Sequence, residues 1–128
     1  MKELTTKEET LVKMAVVASS LAFGVEDYEI LSSSNKRGNE KVSTARMCTY
    51  WLLKKTGELT YQQIGMAMGR DHAAILKGFR RIRNILDVNL EWGHSESIAR
   101  SFQYFKEFYQ KHRENEKKRK IEELENAL

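Results

Sequence analysis

Asp71, His72 and Lys77 follow closely on a Gly69-Arg70 pair, and two small residues, Ala73 and Ala74, lie between them. Polar side chains set among alanines form a surface that a flat, hydrogen-bonding partner can approach closely. Arg80 and Arg81, further along, supply permanent cations of the kind that hold anionic oxygens. No nucleophile–base pair or carboxylate pair accompanies them, and the three histidines (His72, His94, His112) have no ligand spacing with cysteine or with each other. The chemistry on offer is recognition, and an enzyme is the weakest reading.

Such residues need rigid elements to present them. Thr60 and Gln63 stand at capping-box spacing, which predicts a short helix from Tyr61 to about Met68 with Ile64, Ala67 and Met68 on its buried face. Gly69 ends it, because glycine tolerates the left-handed conformation of a helix end. Asp71 is a good cap for a following helix. In that helix Ile75, Phe79, Ile82 and Leu86 form an apolar stripe, and Ala73, Ala74, Lys77, Arg80 and Arg81 lie on the other side. A short helix, a tight turn and a second helix opening on polar residues is the layout of a helix-turn-helix, whose second helix enters the DNA major groove. An amphipathic helix with a solvated basic face fits this pattern equally well.

Val42 through Ile82 resembles the C-terminal DNA-binding domain of the bacterial chromosomal replication initiator, DnaA. The matching residues are Ala45-Arg46, Leu52 and Lys54 in one helix, Ile64-Gly65 in the next, and the run Gly69-Arg70-Asp71-His72 followed by Ile75, Leu76, Arg80, Arg81 and Ile82. Upstream, Val17 to Leu31 and the basic loop at Lys36-Arg37 fall where that family has two helices and a basic loop, so the likeness runs from about residue 8 to 110. It implies an all-α, compact bundle with a Trp-repressor-like helix-turn-helix. By the same resemblance Asp71 and His72 read bases, with Ala73, Ala74 and Lys77 beside them. Arg46 and the segment Thr60 to Gln63, with Gln62, hold phosphate by that resemblance, Arg70, Arg80 and Arg81 are placed to do so too, and Lys36 and Arg37 either touch phosphate or the minor groove or belong to a linker with incidental charge. Arg70 could instead lock the turn internally. Four positions depart from the family pattern. Ala73-Ala74 replaces Thr or Ser followed by Thr, a single glycine precedes Arg70, Gly78 stands where Ala or Ser is usual, and Thr44 falls near the minor-groove arginine of some members. An alanine methyl can touch a thymine methyl but donates no hydrogen bond.

The charge distribution agrees with a polyanion partner. The chain of 128 residues is +4 overall, but residues 36 to 83 hold eleven Lys and Arg against three acids, a net of +8. The flanking segments are −3 (residues 1 to 35) and −1 (residues 84 to 128). Positive charge concentrated on the motif is the footprint of a polyanion-binding surface, consistent with double-stranded DNA as the partner.

Length and composition set the remaining bounds. The chain is one domain (residues 1–110) with an arm (111–128), and its proline-free sequence is 41% hydrophobic, enough for a helical core. Cys48, the single cysteine, reads as a reduced, buried small hydrophobe. No signal peptide is visible at Met1-Lys2-Glu3, and the apolar run Met14 to Phe23 is too short to span a bilayer, so a cytoplasmic, nucleoid-associated protein without membrane contact is expected. No phosphate-binding Gly-rich loop is present. No nucleotide, metal or other cofactor is expected, and the DNA-binding part would stand without an ATPase module.

The remaining elements follow from periodicity. Thr6 and Glu9 predict a capped helix to about Ala22 that buries Leu11, Met14, Ala15, Ala18 and Leu21. A short helix fits Val25 to Leu31, and a long one fits Lys41 to Thr56, burying Val42, Ala45, Cys48, Thr49, Leu52 and Leu53. Tyr50 and Trp51 read as core. Asp87 to His94 reads as a linker and Ser95 as the cap of a last helix, whose seam is Ile98, Phe102, Phe105, Tyr109 and His112. That seam suits packing on the chain's own helices; a homodimer or protein partner through it is the alternative. Residues 113 to 128 read as an exposed helical tail, with Ile121, Leu124 and Leu128 open to a small contact. Two functions stand. One is sequence-specific double-stranded DNA binding by a replication-initiator-like accessory or regulatory protein. The other is an interaction module on the same fold with weak or non-specific DNA binding.

Overall fold

The computed structural model of the chain describes residues 4–32, 40–56, 58–88 and 94–128. Among them, helices follow one another in the order α1 (Thr6–Phe23), α2 (Asp27–Leu31), α3 (Glu40–Lys55), α4 (Tyr61–Met68), α5 (His72–Val88) and α6 (Ser95–Ala127), with no strand. The all-α expectation holds, and the bounds of α3 and α4 lie within a residue of those the periodicity predicts. The expected linker from Asp87 to His94 lies mostly outside the described residues, and α5 runs on to Val88.

Four expectations need correction. The cap of α1 is Thr5 rather than Thr6: its Oγ1 accepts the Glu8 N–H at 3.2 Å. Two adjacent threonines each stand three residues before a glutamate, and the earlier one adds a backbone hydrogen bond, Glu9 N–H to the Thr5 carbonyl at 2.9 Å. Leu21 is 56% exposed. The buried arc of α1 is set by α3 and α6 gripping Leu11, Val12, Ala15, Ala18, Ser19 and Ala22, and Leu21 lies beyond that arc. Ser95 does not cap α6; His94 occupies that position, while Ser95 is the first helical residue and is buried. The second helix also begins later than Val25, at Asp27, because Glu26 and Glu29 form its capping box.

The core lies where α1, α3 and α6 meet. Small residues make the approach close: Ala15, Ala18, Ser19, Ala45, Cys48, Thr49 and Ser101 are all inaccessible to solvent. Their polar atoms are satisfied locally. The Thr49 hydroxyl donates to the Ala45 carbonyl and shares a hydrogen bond with Ser19 Oγ, both at 2.9 Å. Cys48 Sγ and Ser101 Oγ lie 2.9 Å apart, and the Ser101 hydroxyl donates to the Ile98 carbonyl. Burial pushes the Cys48 thiol up to about 12, against the pull of hydrogen bonds from Ser101 and Ser19, so it is a neutral packing group at physiological pH.

The aromatic seam of α6 packs inward. Ile98 and Phe105 are buried, and Phe102 meets the Trp51 ring at 5.6 Å. Tyr50 and Trp51 are core residues, as their apolar neighbours suggest. From Arg113 onward α6 runs as a helix in which every residue but Glu116 is exposed.

α5 is seated on α3 at Gly78. A Cβ there would lie 2.8 Å from Tyr50 Cδ2 and 3.1 Å from Met47 Cγ. Tyr50 is buried, so its ring has nowhere to move. The glycine that departs from the family pattern is the space into which this tyrosine fits. Gly78→Ala gains helix propensity of about 1 kcal/mol but overpacks the contact at a cost of about 1–3 kcal/mol. A net loss of stability, seen as a lower urea midpoint at unchanged slope, is expected; a rise in midpoint would contradict this packing.

Candidate nucleic-acid interface

α4 starts where its cap predicts. Thr60 Oγ1 accepts the Gln63 N–H at 3.1 Å, and Gln63 Oε1 accepts the Thr60 N–H at 2.8 Å. Gly69 ends the helix at φ 67°, the left-handed conformation expected of it. The Gly65 carbonyl accepts the N–H groups of both Gly69 and Arg70, the latter at 2.8 Å. The Arg70 carbonyl then passes so close over Gly65 that a Cβ on residue 65 would collide with it. The turn is built on this crossing of two backbones.

Asp71 caps α5. Its Oδ1 accepts the Ala74 N–H at 2.8 Å, which satisfies one of the unpaired donors of the first turn. Asp71, His72, Ala73 and Lys77 are exposed, and Ala74 is partly so. Ile75 and Ile82 are fully buried, so helical geometry directs Ala73, Lys77 and Arg80 outward in one line. His72 stands on one flank of that line and Ala74 and Arg81 on the other. Arg80 and Arg81 are exposed, as are Thr60 and Gln62 at the start of α4. Lys36 and Arg37 lie outside the described residues.

Two of the arginines have internal work. Arg46 donates from Nε to the Ile30 carbonyl at 3.2 Å and from Nη2 to the Glu29 carbonyl at 2.7 Å. It thereby holds the last turn of α2, whose carbonyls lack helical partners. Arg70 hydrogen-bonds the Tyr50 side chain, which ties the turn to α3. Arg46, Tyr50 and Arg70 form one cluster. Burial and then the neighbouring Arg70 lower the Arg46 pKa, which still leaves it cationic. Burial raises the Tyr50 pKa against the pull of both arginines, so the phenol stays neutral.

Periodicity did not reveal a second feature, a chain of rings and cations across three helices. Lys54 of α3 lies 4.4 Å from the Tyr61 ring of α4, Tyr61 meets Phe79 of α5 edge-on at 6.0 Å, and Arg83 lies over Phe79 at 5.8 Å. Cation–π contacts of this kind fix long side chains in place. The only signal in the sequence was Lys54 and Arg83 within the basic segment. Among the described residues no group of three or more His, Cys, Asp or Glu side chains could hold a metal, and no helix is long and apolar enough to cross a membrane.

Residues 14–82, just over half of the chain, match the bacterial DnaA protein helix-turn-helix family. The chain belongs to this family. The DnaA helix-turn-helix is a DNA-binding module, and the match runs from the middle of α1 through the central part of α5, including the whole turn. α6 and the end of α5 lie outside it. No curated protein matches the chain.

Gly65 is the strictest requirement of this DnaA-type turn. In an exposed helix interior Gly→Ala gains about 1 kcal/mol; here the new methyl meets backbone rather than a movable side chain. Gly65→Ala is expected to destabilise by about 1–3 kcal/mol and to weaken duplex binding beyond the loss of folded protein. Urea titration paired with a gel shift measures both, and a variant as stable as the parent would refute the crossing.

Proposed function

We propose that the chain binds double-stranded DNA sequence-specifically, with the N-terminal half of α5 in the major groove, and serves as a replication-initiator-like accessory or regulatory protein. The observation that carries this reading is the outward line Ala73, Lys77 and Arg80 on a helix that begins at an exposed, capped turn. Lys77 and His72 hydrogen-bond base edges, and the second carboxylate oxygen of Asp71 accepts from a base amine. The methyls of Ala73 and Ala74 contact thymine methyls. Thr60, Gln62, Arg80 and Arg81 hold phosphates, helped by the α4 N-terminus, whose N–H groups favour anions. Lys36 and Arg37 add contacts to the DNA backbone. Arg46 and Arg70 hold phosphate and also position the site, through their bonds to Glu29, Ile30 and Tyr50.

The alanine pair supports a second reading, a module that binds DNA weakly and without sequence preference. Selection of bound duplexes from a random library at two salt concentrations separates the two. Four to six neutralised phosphates give a slope of log affinity against log salt of roughly −4 to −5. Arg80→Ala should lower the slope by about one with little change in preferred sequence. Lys77→Ala and His72→Ala should each cost about 1–3 kcal/mol at the preferred site and relax selection at one position. Failure to enrich any sequence, with both variants binding like the parent, would rule out base reading.

A further inference from the structure

The cations of α6 are sorted by side, and one side continues the surface at the start of α4. Residues 111 to 120 hold six Lys and Arg against Glu114 and Glu116, a net of +4, and the chain turns acidic only beyond Lys120, at Glu122, Glu123 and Glu125. Helical geometry places Lys106, Arg113, Lys117 and Lys120 within about 60° of one another around the axis. All four are exposed. Among the described residues none of them enters an ion pair. Lys106 and Arg113 lie over the Phe102 and Tyr109 rings at 5.5 and 5.9 Å, contacts that hold a cation in place without cancelling its charge. The acids of the segment are engaged or turned elsewhere. Glu116 and Glu123 meet Arg119 at 2.8 and 4.0 Å. Glu107, Glu114, Glu122 and Glu125 share another side of the helix with Lys111 and Lys118.

A chain of contacts leads from this stripe to the helix-turn-helix. Lys106 and Tyr109 line one wall of a groove whose other wall is Lys55 and Thr56, at the end of α3. Lys54, the residue before, lies 4.4 Å from the ring of Tyr61, the first residue of α4. The Tyr109 hydroxyl donates to Glu58 at 3.2 Å, two residues before the cap Thr60. The acids along this route are occupied. Glu58 also meets Lys7 at 3.8 Å, and Glu8 accepts from Gln63 Nε2 at 3.2 Å. From Arg113 onward every residue but Glu116 is exposed, so Lys117 and Lys120 have no packing duty.

We propose that Lys106, Arg113, Lys117 and Lys120 form a second contact with the phosphate backbone of the duplex, running outward from the α4 N-terminus. The inference rests on the DNA-binding reading above and extends the footprint to a helix outside the family match. Lys106 to Lys120 covers about 21 Å of helix, the rise of about six base pairs. Cations in one row match a regular row of phosphates. No Phe, Tyr or Trp follows Tyr109, so the outer half of the stripe has no platform on which single-stranded bases could stack. Contacts of this kind add affinity and carry no sequence preference.

Fluorescence anisotropy of the full chain on a mixed-sequence duplex of about 40 base pairs, between about 50 and 200 mM salt, tests the proposal, because phosphate contacts are read there without a preferred site. Lys117→Gln with Lys120→Gln should lower the slope of log affinity against log salt by about two and weaken binding about tenfold or more at about 100 mM. Lys111→Gln with Lys118→Gln removes the same charge from the other side and should move the slope by less than about half a unit. Lys117→Arg with Lys120→Arg should keep the parent slope. All these positions are exposed, and Gln and Arg match Lys in helix propensity. Equal losses from the two glutamine pairs would overturn the proposal in favour of general attraction by net charge. An arginine pair as weak as the Lys117→Gln, Lys120→Gln pair would overturn it too, because charge would then not be what acts. A slope unmoved by Lys117→Gln with Lys120→Gln, while Arg80→Ala still lowers it by about one, would overturn it and leave the α5 reading standing. A parent that binds no duplex would overturn both.

Discussion

The crossing of the Arg70 carbonyl over Gly65 is the constraint on which the rest of the interface depends. Glycine at 65 lets the chain reverse within three residues of α4, and the Gly65 carbonyl, accepting two N–H groups, fixes the reversal. Only then does Asp71 fall where it can cap α5. The start of α5 is thereby exposed while Ile75, one turn along, is fully buried. A looser turn would leave the direction of α5 undetermined, and base reading tolerates little error in direction because hydrogen bonds weaken steeply with misalignment.

Support for the turn comes from α3. Tyr50 packs into the space at Gly78 and receives a hydrogen bond from Arg70, so one buried side chain ties both the turn and the body of α5 to α3. Arg46, four residues earlier on α3, binds the carbonyls at the end of α2. Two guanidinium groups side by side repel each other, and each is offset by oxygen acceptors: backbone carbonyls for one and the phenol for the other. This arrangement makes α3 the spine of the site. It also gives two cations that look like phosphate ligands in a linear sequence an internal role.

Local signals were legible in the sequence at the turn itself. The Thr60–Gln63 box, the Gly69 stop and the Asp71 cap all involve partners within four residues, and all three fall where their spacing places them. The buried face of α3 was equally readable, because six apolar or small residues agree on it. Long-range partners were not readable. Nothing near Arg46 in the sequence points to Glu29 and Ile30, and nothing near Gly78 points to Tyr50. Leu21 fails for a related reason: hydrophobicity says that a residue can be buried, whereas the neighbouring helices decide which arc is covered. The choice between Thr5 and Thr6 turned on a single extra backbone hydrogen bond, which composition does not reveal.

The alanine pair bears on how such a protein would achieve selectivity. Phosphate contacts supply most of the affinity and carry no sequence information directly. On the proposed reading, base contacts from Asp71, His72 and Lys77 supply discrimination, and two methyls in place of two hydroxyls remove hydrogen bonds that would have added to it. One α5 per molecule therefore reads few bases.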